Sequence, residues 1–152
     1  MIDARLLQEI VVHTDDRVGV FAGVSRILSD MGIDLVSVSI RADGESAAVH
    51  LVTSSQTYAS RALRKAGYEI SERDVVVLEI PHHPGFLCRI SEALARKEIT
   101  IDELYATAPE EGASAVVVFT GPHNSRAVQL LRGYQGPVFH RIHNLPSQHA
   151  HN

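Results

Sequence analysis

The chain has 152 residues, 45% of them hydrophobic, which is apolar material for one ordinary core or two small ones and marks a globular protein. Fourteen Lys and Arg stand against 18 Asp and Glu, a net charge of −4 with neutral histidines, so no basic surplus exists to meet a phosphate backbone and direct nucleic-acid binding is not expected. The single cysteine, Cys88, has no intrachain disulfide partner, charge enters at Asp3 and Arg5, and no apolar run nears the ~20 residues that cross a bilayer, so a cytoplasmic protein without membrane contact is expected.

Leu7 to His13 is a β-rich run closed by a glycine turn, and reads as a first strand. Val20, Phe21, Val24, Ile27, Leu28 and Met31 then recur at three- and four-residue spacing, one apolar face of a helix that Gly32 can end in a left-handed cap. Val36, Val38 and Ile40 alternate with Ser37, Ser39 and Arg41 as a half-buried strand does, and Asp43-Gly44 turns the chain into a return strand from Ala47 to Thr53. Ser54 or Ser55 can cap a second helix carrying Ala59, Ala62, Leu63 and Ala66, and a short strand near Tyr68 follows. Val75 to Ile80 begins the series again. A helix with Leu87, Ile90, Ala93 and Leu94 leads to a hairpin from Tyr105 to Thr120 around Glu111-Gly112. A helix capped by Asn124 or Ser125 then carries Ala127, Val128 and Leu131, and a short strand near Val138 closes the unit.

The recurrence keeps one offset of 66 residues, that of Gly19 from Gly85. At that offset Val24 meets Ile90, Ser25 meets Ser91, Leu28 meets Leu94, Ile33 meets Ile99 and Leu35 meets Ile101, without a gap. The order β-α-β-β-α-β, twice, predicts an α+β protein of two ferredoxin-like units, each an antiparallel sheet with helices on one face. The units are expected at 1–72 and 73–141, with a histidine-containing tail at 142–152. Only Ser71-Glu72-Arg73-Asp74 lies between them, with no flexible spacer, so they are expected to pack together and to leave sheet edges for a homodimer.

This duplicated unit opens with the turn Asp15-Asp16-Arg17-Val18-Gly19 or His82-His83-Pro84-Gly85. Each turn is followed by an apolar-faced helix, and the first helix ends in Met31-Gly32-Ile33-Asp34; the whole resembles the ACT domain family over roughly residues 5–141. The resemblance implies a regulatory module that binds a small effector, usually an amino acid, between the turn before the first helix of one unit and the start of the second strand of another. Carried onto this chain, the candidates are Asp15, Asp16, Arg17, Val18, Gly19, Val20 and Phe21 facing Thr100, Ile101 and Asp102, and His83, Pro84, Gly85, Phe86 and Leu87 facing Asp34 and Leu35. Val18 stands where the family commonly has proline, and His82-His83 where it has an acid and a base. The implied partners are a small-molecule effector, a second copy of the chain, and a metabolic enzyme or regulator.

The residues support that location without the family. Gly19 and Gly85 permit positive φ where unpaired helix N–H groups emerge, a place for a carboxylate, and Asp15, Asp16, Asp34 or Asp102 can meet an ammonium. The plainer reading is that the acids cap the helix and the glycines only turn the chain. Apolar Val20, Phe21, Phe86 and Leu87 point weakly toward branched or aromatic ligands. Nine histidines raise a metal- or proton-responsive alternative through His82, His83 or His140, His143, His149 and His151, but their spacing is irregular and a solvated tail is the better reading. His50, alternating with Val49 and Leu51, is expected at a surface or interface. No nucleophile, base and orienting group are visible together, so neither catalysis nor a cofactor is expected, and a docking subunit with vacant pockets is the third reading.

Overall fold

Among the described residues the segments of apolar periodicity fold into the helices and strands their spacing predicts, but Val36, Val38 and Ile40, the apolar side of one strand, are exposed. The computed structural model describes residues 2–134 apart from 16, 17, 82, 108, 109 and 111. The order is β1 (Asp3–Thr14), α1 (Val20–Asp30), β2 (Leu35–Asp43), β3 (Ser46–Thr53), α2 (Gln56–Lys65), β4 (Glu69–Pro81), α3 (Phe86–Arg96), β5 (Glu103–Ala106), β6 (Ser114–Thr120) and α4 (Asn124–Arg132). The strand expected near Val138, the tail and its histidines, Asp16, Arg17, His82 and Glu111 lie outside the described residues.

Gly32 takes φ 66°, and the Gly32 and Ile33 N–H groups bond back to Ser29 and Leu28, a left-handed stop to α1 as expected. The serine and asparagine caps come out differently. Ser55 holds the N-cap place of α2 without a side-chain hydrogen bond, and Ser54 Oγ instead accepts the Asp34 N–H at 3.1 Å. α4 starts one residue early for Asn124 or Ser125 to cap it, and His123 holds the N-cap place. The Asn124 side chain is engaged elsewhere, accepting the Gly121 N–H at 2.9 Å and donating to the Asp74 carbonyl at 3.0 Å.

All six strands join one antiparallel sheet in the order β2-β3-β1-β4-β6-β5. β1 and β4 pair along almost their whole length, from Asp3 opposite Glu79 to His13 opposite Glu69. Gln8 lies opposite Asp74, its own counterpart at the 66-residue offset, so a pseudo-two-fold axis passes through that pair. The back half of β1 is the first strand of the first ferredoxin-like unit, and the front half of β4 is its fourth. The back half of β4 opens the second unit, and Asp3–Leu7 fills the fourth-strand place beside it. Two four-stranded sheets with open edges are thus replaced by one sheet in which both long strands are shared. Ser71–Asp74 contains no glycine or proline, and its pairing with β1 keeps the chain extended through the unit boundary.

All four helices cover one sheet face. Ile10, Val12, Val49 and Leu51 meet Val24, Leu28 and Leu63 in one core, and Leu78, Val117 and Phe119 meet Ile90, Leu94 and Leu131 in the other. Each fully buried leucine contributes about 1.5–3 kcal/mol of transfer free energy. The helix-free face has its own apolar cluster of Val52, Val75, Val77 and Val118, and around it the sheet curls. β2 and β5 are the two outer strands, yet the Ser37 and Tyr105 hydroxyls lie 3.1 Å apart and Arg41 Nη1 lies 2.9 Å from Glu103 Oε1. Side chains rather than ladder hydrogen bonds bring these edges together. No helix among the described residues is long and apolar enough to cross a membrane.

Candidate ligand site

Gly19 and Gly85 adopt φ 75° and 83° directly before α1 and α3, the left-handed region where an L side chain costs roughly 1–2 kcal/mol. Neither N-cap position carries a side-chain cap and neither first turn holds an acid, so the positive ends of both helices are left to the glycine turns.

Two depressions flank the first turn. On the helix side a cavity of about 530 Å³ is walled by Val18, Val20, Phe21, Ile40, Ala42 and Ala47. At the end of β1 a second, of about 560 Å³, is walled by His13, Asp15, Arg41, Tyr68 and Glu69, and the two share Ala47. His13 Nε2 is tied to Ser71 Oγ at 2.9 Å. One depression is apolar and the other carries both signs of charge. Together with the α1 terminus they present a cation for a carboxylate, acids for an ammonium and an apolar wall for a side chain, the three features by which an α-amino acid is recognised.

Of the residues expected to bind, Asp15, Val18, Gly19, Val20 and Phe21 gather around this turn, with Val18 87% exposed and Val20 buried. Pro84, Gly85, Phe86 and Leu87 form the corresponding turn before α3, with Phe86 against the second core and Leu87 exposed; His83 stands just before it. The expected opposing segments stand elsewhere in the chain. Leu35 lies opposite Thr53, at the level of Gln8, and the Asp34 carbonyl accepts the Ser54 N–H. Asp102 donates its N–H to Thr120, whose hydroxyl bonds the Asp74 carbonyl, while Thr100 and Ile101 pack against Gly121 so closely that a Cβ there would meet the Thr100 oxygen at 2.3 Å. Both segments therefore sit near the pseudo-axis, whereas the glycine turns lie beyond the ends of the long strands. Asp74 is five residues from Glu69, about 17 Å along the strand. Within one chain the turns and the opposing segments are not brought together.

The helix-free face holds a charged cluster that the strand pattern did not reveal. Glu9, 0% exposed, accepts hydrogen bonds from Arg73 Nε at 2.9 Å and the Tyr105 hydroxyl at 2.9 Å, with His50 Nδ1 at 2.8 Å. An ionised carboxylate only accepts, so the Nδ1 hydrogen points to Glu9, and Arg73 Nη2, 3.2 Å from that nitrogen, is a neighbour rather than a donor to it. Arg73 also holds Glu103 at 2.5 Å, and Glu103 holds Arg41. Burial by itself would push the Glu9 carboxyl up, but the hydrogen bonds from His50, Tyr105 and Arg73 outweigh it and keep its pKa below the usual carboxylate value. The Arg73 hydrogen bond likewise holds Glu103 low against its slight burial. Burial, opposed by the Ser37 hydrogen bond and reinforced by the Glu9 charge, pushes the Tyr105 phenol up to about 12. His50 is thus a buried member of this cluster rather than a surface residue. The available signal is a difference between the repeats: Glu9 stands where the second copy has Val75.

The fold and its internal repeat define a tandem of ferredoxin-like units fused through shared strands. Within the first of them, residues 9–57 match the ACT domain family model. No curated relative matches the sequence. Among solved structures, the protein BT0572 of Bacteroides thetaiotaomicron is similar with a TM-score of 0.77 and 20% identity, over 85% of this chain and 88% of that one. The regulatory subunit of aspartate kinase from Thermus thermophilus is similar with a TM-score of 0.58 and 16% identity, over 86% and 94%. Aspartokinase III of E. coli, solved in complex with lysine and aspartate, is similar with a TM-score of 0.52 and 14% identity, over 86% of this chain and 32% of that one. At such identities these likenesses establish the fold.

Proposed function

We propose that this protein is a non-catalytic regulatory sensor that binds a free amino acid at the turn between β1 and α1. The observation that carries the reading is the pairing of a charged depression, with Asp15, Arg41 and Glu69, and an apolar one on either side of the positive-φ Gly19. The ACT match over the same segment and the amino acids bound by the similar aspartokinase III support it. Thr100, Ile101 and Asp102 do not reach this turn within the chain, so a second copy supplies the opposing wall in a homodimer. Val36, Val38 and Ile40, exposed along the outer strand β2, give that copy an apolar edge to meet. The regulated partner is a metabolic enzyme or a regulator.

A thermal-shift and calorimetric screen against the twenty protein amino acids tests this. An amino acid at about 100 times its Kd adds roughly 2.7 kcal/mol to stability. That gain is expected to disappear in Gly19→Val and to shrink in Asp15→Asn. An added Cβ at Gly19 meets no atom within 4 Å beyond its chain neighbours, so the cost of the substitution lies chiefly in the left-handed backbone conformation, which a β-branched side chain resists. Stabilisation by none of the twenty overturns the reading.

A further inference from the structure

Arg41 stands in two places at once. It lines the charged depression beside Asp15, and its Nη1 is ion-paired at 2.9 Å with Glu103 on β5, the outer strand of the other unit. Glu103 spends its second oxygen on Arg73, and Arg73 reaches the fully buried Glu9. An alternating line of charge, Arg41 to Glu103 to Arg73 to Glu9, therefore runs from an exposed rim to the middle of the curled face. β2 and β5 are not ladder neighbours, and the side-chain bonds seen between them are this ion pair and the Ser37–Tyr105 hydroxyl contact.

We propose that Arg41 transmits ligand binding between the units: a ligand carboxylate seated in the depression takes the Arg41 guanidinium from Glu103, and the β2 edge then parts from β5. The inference rests on the reading that this depression binds an amino acid. The exchange is physically easy. A guanidinium presents a planar fork that fits one carboxylate as well as another, and Arg41 is more than half exposed, so little desolvation opposes the swap. Glu103 keeps Arg73 when Arg41 leaves, and Glu9 keeps all three of its donors, so opening strands no buried charge. The closed and parted edges differ by contacts at the surface end of the line, as a ligand-biased two-state element requires. Coupling is reciprocal, so whatever breaks the Arg41–Glu103 pair without removing Arg41 raises ligand affinity by the factor with which ligand opens the edges.

The test uses the full chain carrying Cys88→Ser, with spin labels at Glu45→Cys in the β2–β3 turn and Leu104→Cys on β5, both exposed positions that line neither depression, diluted with unlabelled chain so that distances within one copy are read. The distance between labels is measured by pulsed electron resonance with each of the twenty amino acids, and affinity by calorimetry. Expected is one amino acid that binds and lengthens the distance, together with a Glu103→Gln protein that shows the longer distance without ligand and binds the same amino acid about fivefold more tightly or better. Because Glu103 also holds Arg73, Arg41→Gln breaks the same pair from the exposed end as a second variant, and it is expected to show the longer distance in every condition. Binding that leaves the distance and the Glu103→Gln affinity unchanged, or a short distance in Arg41→Gln, overturns the inference while the amino-acid reading stands. No binding by either the parent or Glu103→Gln overturns both.

Discussion

A carboxylate removed from water stays ionised only when its oxygens are met by donors, and Glu9 has His50, Arg73 and Tyr105 aimed at it. Removing one partner leaves the others facing a buried, incompletely compensated charge, so Arg73→Ala is expected to cost about 3 kcal/mol or more in urea-unfolding experiments. The pH dependence has two limbs. The folded pKa values of Glu9 and Glu103 lie below their unfolded ones, so their stabilisation is complete above the ordinary carboxylate range and is lost as pH falls through the depressed values. Tyr105 is raised, so its contribution is complete below about pH 10 and is lost as pH rises toward about 12. Denaturation curves across pH are expected to bend at both ends, and Tyr105→Phe is expected to flatten the alkaline limb. The glycine turns were legible because positive φ at a strand-to-helix corner leaves few alternatives to glycine. The charged cluster was not, because Glu9, His50, Arg73, Glu103 and Tyr105 come from four strands and meet only once the register and the curl are known.

Strand β1 serves two masters. Its front half, with buried Ile2 just before it and buried Ala4 within it, completes the second core, and its back half opens the first. Deleting residues 2–6 is therefore expected to damage the distant repeat. Amide hydrogen exchange should rise in Val75–Ile80 of β4 and in β6 while β3 keeps its protection, and the opposite pattern would show that the front half of β1 is dispensable. Periodicity located every element but set the first strand at Leu7 and the fourth as a short piece near Tyr68. Polar Gln8, Glu9 and Ser71–Asp74 look like strand ends, and that they are the middles of two long paired strands depends on partners far away in sequence. The caps failed for a related reason: Ser54 and Asn124 found tertiary bonds to Asp34, Gly121 and Asp74 that outcompeted the local helix end.

At the scale of the molecule, the two cores are welded by β1 and β4 and by the cluster on the curled face. Calorimetry is expected to show one unfolding transition, with the calorimetric enthalpy equal to the van't Hoff value, whereas two separable transitions would show that the units melt independently. The duplicated plan was visible at once in the 66-residue offset, but the sharing of strands was not, since an offset says which residues correspond and nothing about which copy they pair with. That distinction has a bearing on descent. A single repeat whose long strand exchanged with that of an identical copy would build this same sheet with true symmetry, a simple ancestor for the fused chain. The present first repeat can no longer do so. Paired with itself it would place Glu9 where Val75 now stands, Leu7 where Arg73 stands and Ser39 where Tyr105 stands, burying two carboxylates without the arginine and phenol that now meet them. The halves have diverged into a matched pair, in which the acid of one is met by the arginine and phenol of the other.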